Sequence, residues 1–284
     1  MTRIANDSTR NNEPLVSILI PTYNSAKTIK ECLDSAKTQT YTKLEIIVID
    51  NHSSDETRSI AQKYCSQIFV VGPERSAQMN YGVSHSQGKY ILRVDSDMIL
   101  DNDLVKDCLT LCQEGVQAVV IPVLPHPSGP KNFWVSCRML EQRMIMDDLV
   151  NVAPRFIDRT VFLSVGGYDE KIVAFEDYDL HNRLLKSGCS VACLQQSALW
   201  HLGEASSLSE VVIRMIKYGK TGSLGQFTKK HGSGGLKQIS IIRPSYFRHR
   251  NLFISDPLHF TGIFVMKFVQ SCSVATGALL RHLP

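Results

Sequence analysis

VSILIPTYNSAKTIKECLDSAKTQTYTKLEIIVID, residues 16–50, carries the fold in miniature. An apolar run, VSILI, stops at Pro21, and a second, LEIIVI (44–49), ends at Asp50. Between them Ile29, Cys32, Leu33 and Ala36 recur at helical spacing, with Ser25 placed as an N-cap. A strand, a helix and a second strand in so short a span make a crossover, and crossovers join parallel strands. Strands this continuously apolar belong to a sheet covered on both faces.

The alternation continues. SSDETRSIAQKYC (53–65) reads as a helix, QIFVV (67–71) as a strand, residues 76–86 as a helix and KYILRVDSD (89–97) as a fourth strand. NDLVKDCLTLCQE (102–114) is the next helix and QAVVIPV (117–123) the next strand; the Pro-rich PHPSGP (125–130) then separates the halves. Residues 131–150 read as a long helix and 153–170 as strand, turn and short helix. Residues 178–188 form a helix closed by Gly188 at C′, and 190–203 contain the last strand. The pattern predicts an α/β fold, a mostly parallel, doubly wound sheet with flanking helices.

Such sheets bind ligands beyond the carboxyl ends of their strands. Thr22-Tyr23-Asn24, Asp50-Asn51 and Asp95-Ser96-Asp97 all fall there. Two carboxylates two residues apart are hard oxygen ligands, suited to Mg²⁺ or Mn²⁺ and through it to substrate phosphates. Asp and Ser are also ordinary turn residues, so the triplet by itself reads more readily as a solvated turn, and its place at the ligand rim raises the metal reading. A second cluster, Phe175-Glu176-Asp177-Tyr178-Asp179, opens a helix. Acids there suit the helix dipole, while the glycine-punctuated GGYDEKIVAF (166–175) before them can position a carboxylate as a general base.

VSILIPTYN, VIDNHSSDET, RSAQMNYG, VDSD, GGYDE and FEDYDLHNRL, in this order from Val16 to about His201, resemble the inverting family 2 glycosyltransferases of the GT-A fold. The resemblance implies transfer of a sugar from a nucleotide-diphosphate sugar (UDP-, GDP- or dTDP-linked) to a glycan or lipid-linked acceptor, with Mn²⁺ or Mg²⁺, in the making of cell envelope polysaccharide. It implies that Thr22, Tyr23 and Asn24 line the nucleotide pocket, that Asp50 accepts a hydrogen bond from the base, and that Arg75 and Asn80 flank the donor. Asp95 and Ser96 would face the ribose or sugar, with Asp95 also beside the metal. Asp97 would hold metal and diphosphate with His201 as a further contact. Asp177 would be the base, with Glu176 the alternative. Three departures stand out: Asp50-Asn51 replaces a double aspartate, Gln78-Met79 stands where relatives carry arginine, and there is no Q-x-x-R-W run of the processive synthases. A nucleotidyl or sugar-phosphate transferase would instead show a glycine-rich basic loop after the first strand, where this chain has SAKT. A non-catalytic nucleotide-sugar-binding protein would not need Asp50, Asp95, Asp97 and Asp177 together.

Composition bounds these readings. The chain has 284 residues, a net charge of +4, 43% hydrophobic and 20% charged side chains, which excludes disordered, collagenous and multi-span membrane proteins. The charge divides unevenly: residues 1–210 hold 20 basic and 26 acidic side chains, residues 211–284 hold 11 basic and one acid, Asp256. The expected organisation is therefore a polar tail at 1–13, a GT-A domain at 14–210 and a basic, partly apolar helical extension at 211–284, with a flexible HGSGG at 231–235. The apolar stretch 257–280 contains His259 and Lys267, which makes it a poor spanning helix. It reads either as an interfacial helix at an anionic membrane or as a helix packed on the domain. Nucleic acid is not an expected partner, because no aromatic platforms are interleaved with the basic residues. The eight cysteines lack metal or disulfide spacing and MTRIANDSTRNNEP lacks an apolar signal region. These features lead to an expected cytoplasmic location, peripheral at the membrane face.

Overall fold

The computed structural model describes residues 13–149, 152–203, 205–238 and 240–281, and only the backbone of 233–238. The tail expected at 1–13 lies almost wholly outside these residues. β1 (Val16–Thr22), α1 (Ile29–Lys37), β2 (Leu44–Asp50), α2 (Thr57–Ala61), β3 (Gln67–Val70), α3 (Arg75–His85) and β4 (Tyr90–Arg93) alternate as the apolar pattern dictates. β1 pairs in parallel with β2 on one side and β4 on the other, and β3 lies parallel beyond β2. Successive side chains of a strand point to opposite faces, so β1 feeds two cores. Val16, Ile18 and Ile20 bury with Ile29, Cys32 and Leu33 of α1, whereas Leu19 buries with Met79 and Val83 of α3.

Two local expectations change. α1 begins at Ile29, not at Ser25, and its N-cap Thr28 makes no side-chain cap. The Ser25 carbonyl accepts hydrogen bonds from the Thr28 and Ile29 amides, and its hydroxyl lies 2.7 Å from that of Ser96, so Ser25 is a turn residue at the strand-end rim. The fourth strand, expected to run to Asp97, stops at Arg93, and the chain turns through 94–97 into β5 (Met98–Leu100).

α4 (Leu104–Gln113), β6 (Ala118–Val120), β7 (Val123–Pro125), α5 (Phe133–Ile145), β8 (Phe156–Asp158), α6 (Arg159–Ser164), α7 (Glu176–Lys186), β9 (Val191–Cys193) and β10 (Leu199–His201) complete the α/β part. The main sheet has the order β3-β2-β1-β4-β8-β6-β9, and a small sheet has the order β5-β10-β7. β8 is antiparallel to both β4 and β6. The α/β fold is thus mostly parallel, with one reversed strand at its centre. Gly188 follows the C-cap Ser187 of α7 in the left-handed region, φ +80°, as its sequence position requires.

α8 (Leu208–Lys220), α9 (Ser223–Gln238), α10 (Pro244–Arg248), α11 (Arg250–Ser255) and α12 (Pro257–Leu280) follow. Position 211, where the extension was expected to begin, lies inside α8. HGSGG falls within α9, which kinks at Gly232 (φ +56°). α12 lies along α8, and the two cross backbone to backbone. A Cβ on Gly219 would stand 2.2 Å from the Val274 carbonyl oxygen, and one on Gly277 would stand 2.2 Å from that of Ile216.

α12 also meets α5 through a buried charge cluster. Glu141 of α5 is fully buried and takes Lys267 Nζ at 2.6 Å, Arg138 Nη1 at 3.0 Å and the Tyr246 hydroxyl at 3.3 Å, with Arg243 Nη1 at 3.6 Å. Lys267, which counts against α12 as a spanning helix in the sequence, is therefore turned inward. By length and composition α12 is long and apolar enough to cross a membrane, yet only 22% of its most apolar window is buried in the protein. All eight cysteines are free thiols.

Candidate active site

The carboxyl ends of β1, β2 and β4 converge on one rim. Thr22 is buried at the end of β1 and donates to Asp50 Oδ1 at 3.1 Å. Asp50 is fully buried; its Oδ2 accepts from the Ser53 amide at 2.8 Å and its Oδ1 from the Ser53 hydroxyl. Asp50 therefore ties down the 51–53 turn from a buried position. Tyr23, 61% exposed, stands open at the rim. Asn24, at φ +48°, accepts the Ser54 amide at 2.9 Å and joins the first two strand ends.

At the end of β4 the chemistry is dense. Three arginines, Arg75, Arg93 and Arg155, interleave with three carboxylates, Asp95, Glu176 and Asp177. Arg93, only 3% exposed, forks onto Asp177, with Nη2 2.9 Å from Oδ2 and Nη1 on Oδ1. Arg75 donates from both Nε, at 3.0 Å, and Nη2 to one oxygen of Glu176, Oε1. Asp95 takes Arg155 Nη2 at 3.0 Å, with Arg93 Nε at 3.6 Å and Arg75 Nη1 at 3.7 Å. The bidentate Arg93–Asp177 pair fixes both distance and orientation.

The charges follow from the pairing. Burial opposes the charge on Asp95, but Arg155, Arg93 and Arg75 together outweigh it and hold the carboxyl well below the usual carboxylate range. Burial likewise opposes the charge on Asp177, and Arg93 and Arg75 reverse it, so its pKa is lowered. Glu176 goes the other way: burial dominates even against Arg75 and raises its pKa. Arg93 Nε, Asp95 Oδ1 and Arg155 Nη1 are buried without a hydrogen-bond partner, so the cluster has unmet polar capacity where a ligand would lie.

The carboxylates that open α7 follow a strained residue. Phe175, just before α7, has φ +71°, an uncommon conformation for a bulky side chain. It is held there from α9. Its ring stacks on Phe227 at 5.5 Å, and Ser223 Oγ accepts the amides of Val173 and Ala174 at 3.0 and 3.2 Å. Asp179, fully buried one turn into α7, pairs with Arg183 at 2.7 Å and with Lys230 and His231 of α9 at 2.8 Å each.

Asp97 lies across the turn from Asp95, with His201 Nε2 of β10 3.3 Å from its Oδ2. The three-ligand set Asp95, Asp97 and His201 is not assembled, because Asp95 is committed to arginines. Among the described residues no three His, Cys, Asp or Glu side chains group to hold a metal. The pair Asp97–His201 still fits a divalent cation, since Mg²⁺ and Mn²⁺ sites commonly use one or two protein ligands and complete themselves with substrate phosphates and water. Ser96 is buried against Ser25. A cleft of about 330 Å³ opens at the carboxyl ends of β4 and β6, lined by Arg93, Asp95, Arg155, Asp177, His201 and Arg214. A larger cavity, about 740 Å³, lies beside the amino ends of β1 and β4 and holds none of these carboxylates.

Asn80 is not beside this cleft's carboxylates. Its Oδ1 accepts the Tyr168 amide at 2.8 Å and its Nδ2 donates to the Tyr168 carbonyl at 2.9 Å, so it hooks the GGYDE loop to α3. Gly167, φ +65°, makes room: a Cβ there would meet Asn80 Oδ1 at 2.6 Å. Gln78, noted only as a missing arginine, donates to the Thr22 carbonyl at 3.0 Å and braces the rim. Sequence reasoning missed Arg93 and Arg155. Arg93 carried a signal, a lone charge inside the apolar YILRV (90–94).

Residues 17–165 match the profile of Glycosyl transferase family 2, and the chain belongs to that family. It is a glycosyltransferase with the GT-A fold. An uncharacterized glycosyltransferase of Rickettsia prowazekii (strain Madrid E) is 28% identical over 223 residues, covering 69% of this chain and 70% of that one. The mannosyltransferase PcManGT of Pyrobaculum calidifontis, solved with GDP-Man and Mn²⁺, superposes with a TM-score of 0.62 at 16% identity, over 95% of this chain and 88% of that one. S. aureus TarS 1–349, solved with UDP-GlcNAc, superposes with a TM-score of 0.56 at 15% identity, over 94% and 90%.

Proposed function

We propose that this protein moves a sugar from a nucleotide-diphosphate sugar to a hydroxyl or lipid-phosphate acceptor, with inversion at the anomeric carbon and with the help of Mn²⁺ or Mg²⁺. One observation carries the reading: Asp177, 29% exposed, stands at the mouth of the strand-end cleft, ionised against Arg93 and next to Asp95. A carboxylate open to the cleft can take a proton from an incoming hydroxyl, and attack from the face opposite the leaving diphosphate inverts the centre. Glu176, 3% exposed and clamped by Arg75, is far less open than Asp177, which favours Asp177 as the base.

Asp97 and His201 would hold the cation, which when bound neutralises charge on the leaving nucleoside diphosphate. Arg75, Arg93 and Arg155 supply further positive charge to the same end of the donor. A diphosphate that draws Arg93 away from Asp177 raises the basicity of that carboxylate as the donor binds. Tyr23 stands where it can cover the base. Support for a nucleotide-sugar donor comes also from the UDP-GlcNAc and GDP-Man found with the two structural relatives, and support for a divalent cation from the Mn²⁺ found with one of them.

We further propose a cytoplasmic enzyme held peripherally at a membrane through 211–284, in cell envelope polysaccharide assembly. The basic excess of that segment and the outward apolar side chains of α12 (Leu258, Val265, Phe268, Leu279) support this. The donor reading is tested by isothermal titration of UDP, GDP and dTDP, with and without Mn²⁺. At least one should bind more tightly with the metal, and Asp97→Asn should abolish that gain. Equal binding with and without Mn²⁺ contradicts the metal assignment.

A further inference from the structure

Behind Asp177, α5 and α7 of the α/β part meet α8 and α12 of the extension around a cleft of about 340 Å³. It opens beside Glu176 and Asp177 and is lined deeper in by Arg138, Arg243 and Lys267. Two of these cations, Arg243 and Lys267, are buried on one carboxylate, Glu141. One cation would neutralise Glu141. Desolvating a second is costly unless something negative repays it. Arg243 and Lys267 are 7% and 12% exposed, and Arg243 Nε is buried without a hydrogen-bond partner. Burial pushes the Lys267 ammonium down to about 8 even against Glu141.

A second arm of about 290 Å³ shares Arg243 and Lys267 with this cleft and is otherwise mainly apolar, formed by Phe175, Met215, Leu224, Ile241 and Val274. α12 lines it with Lys267, Gln270, Ser271 and Val274, one helical face. Val265 and Phe268 stand exposed on another face of the same helix.

Building on the reading of Asp177 as base, we propose that this cleft is the acceptor subsite and takes a phosphorylated acceptor. Its phosphate lies against Arg243 and Lys267, its apolar part runs along the second arm, and its sugar hydroxyl reaches Asp177. The shared chemistry is a phosphate ester, and the experiment separates a lipid-linked source from a soluble one.

The full chain, with its donor site saturated by whichever nucleotide binds with Mn²⁺, is titrated with farnesyl phosphate, inorganic phosphate and farnesol. Farnesyl phosphate is expected to bind at least about tenfold more tightly than farnesol, and Arg243→Gln to weaken it by about tenfold or more. Gln270→Glu, nearly isosteric and on the cleft wall, is expected to do the same and keeps the test valid if Arg243→Gln is unstable. Inorganic phosphate binding as well as farnesyl phosphate, with the same loss in the variants, assigns the subsite to a soluble phosphorylated acceptor. Farnesol binding equal to farnesyl phosphate, or no effect of Gln270→Glu, overturns the proposal. The nucleotide titration judges the donor reading alone, because neither variant touches the strand-end rim and the phosphate titrations can be repeated without nucleotide.

Discussion

Arg93 sits in an otherwise apolar strand with 3% of its side chain exposed, and it binds Asp177 and Asp95 at once. Removing one partner of a buried pair leaves an uncompensated charge, at about 3–5 kcal/mol. Arg93→Met should therefore lower unfolding stability by about that much at pH 7, measured from urea midpoints. The pH dependence has a definite sign. The folded-state pKa values of Asp95 and Asp177 lie below their unfolded values, so their stabilisation is complete above the ordinary carboxylate pKa of about 3.9 and is lost as pH falls below it. Wild type and variant should converge in stability as the pH drops through about 4. A difference that stays constant with pH contradicts the ion-pair role. At this scale Asp95, Asp97 and Asp177 were legible because carboxylates at strand and helix ends are conspicuous. The commitments of Asp50 and Asn80 to backbone amides were not, because a side chain's partner is settled by tertiary packing.

Most elements were legible from apolar spacing, from the β1–α1–β2 crossover to α7 with Gly188 behind it. The end of β4 was not. YILRV and MIL are both apolar, and periodicity does not say that a chain leaves one sheet for another between them. The antiparallel entry of β8 is equally silent in a three-residue strand. The α8–α12 crossing hangs on two single glycines in apolar helices, a pattern that sequence reads as mere tolerance. Here Gly219→Ala pits two terms against each other: alanine favours an isolated helix by about 1 kcal/mol, while overpacking costs about 1–3 kcal/mol or more. With the Val274 carbonyl 2.2 Å from the new Cβ, the second term wins, and the melting temperature should fall. A rise would mean that the helices do not cross closely.

Charge organises the whole molecule, though differently from its first appearance. The acidic body and the basic extension partly neutralise each other: Lys230 pairs with Asp169 and Asp179, Arg243 and Lys267 with Glu141, and Arg248 with Asp147. Part of the basic excess thus docks the extension, and through Ser223 and Phe227 the extension holds the Phe175–Asp177 segment in place. The sequence showed the asymmetry but not its target, since pairing between distant segments leaves no local trace. For membrane contact, wild type should sediment with vesicles containing anionic phosphatidylglycerol, and the double variant Val265→Glu, Phe268→Glu should not; equal sedimentation contradicts it. The central claim is sugar transfer with Asp177 as base, and it is tested most directly by incubating wild type and Asp177→Asn with a panel of nucleotide sugars and candidate acceptors and reading products by mass. Wild type should yield a glycosylated product with the anomeric configuration inverted, and Asp177→Asn should bind the same donor yet transfer about 10²–10⁴-fold more slowly. Undiminished transfer by Asp177→Asn, or retention of configuration, would contradict the account.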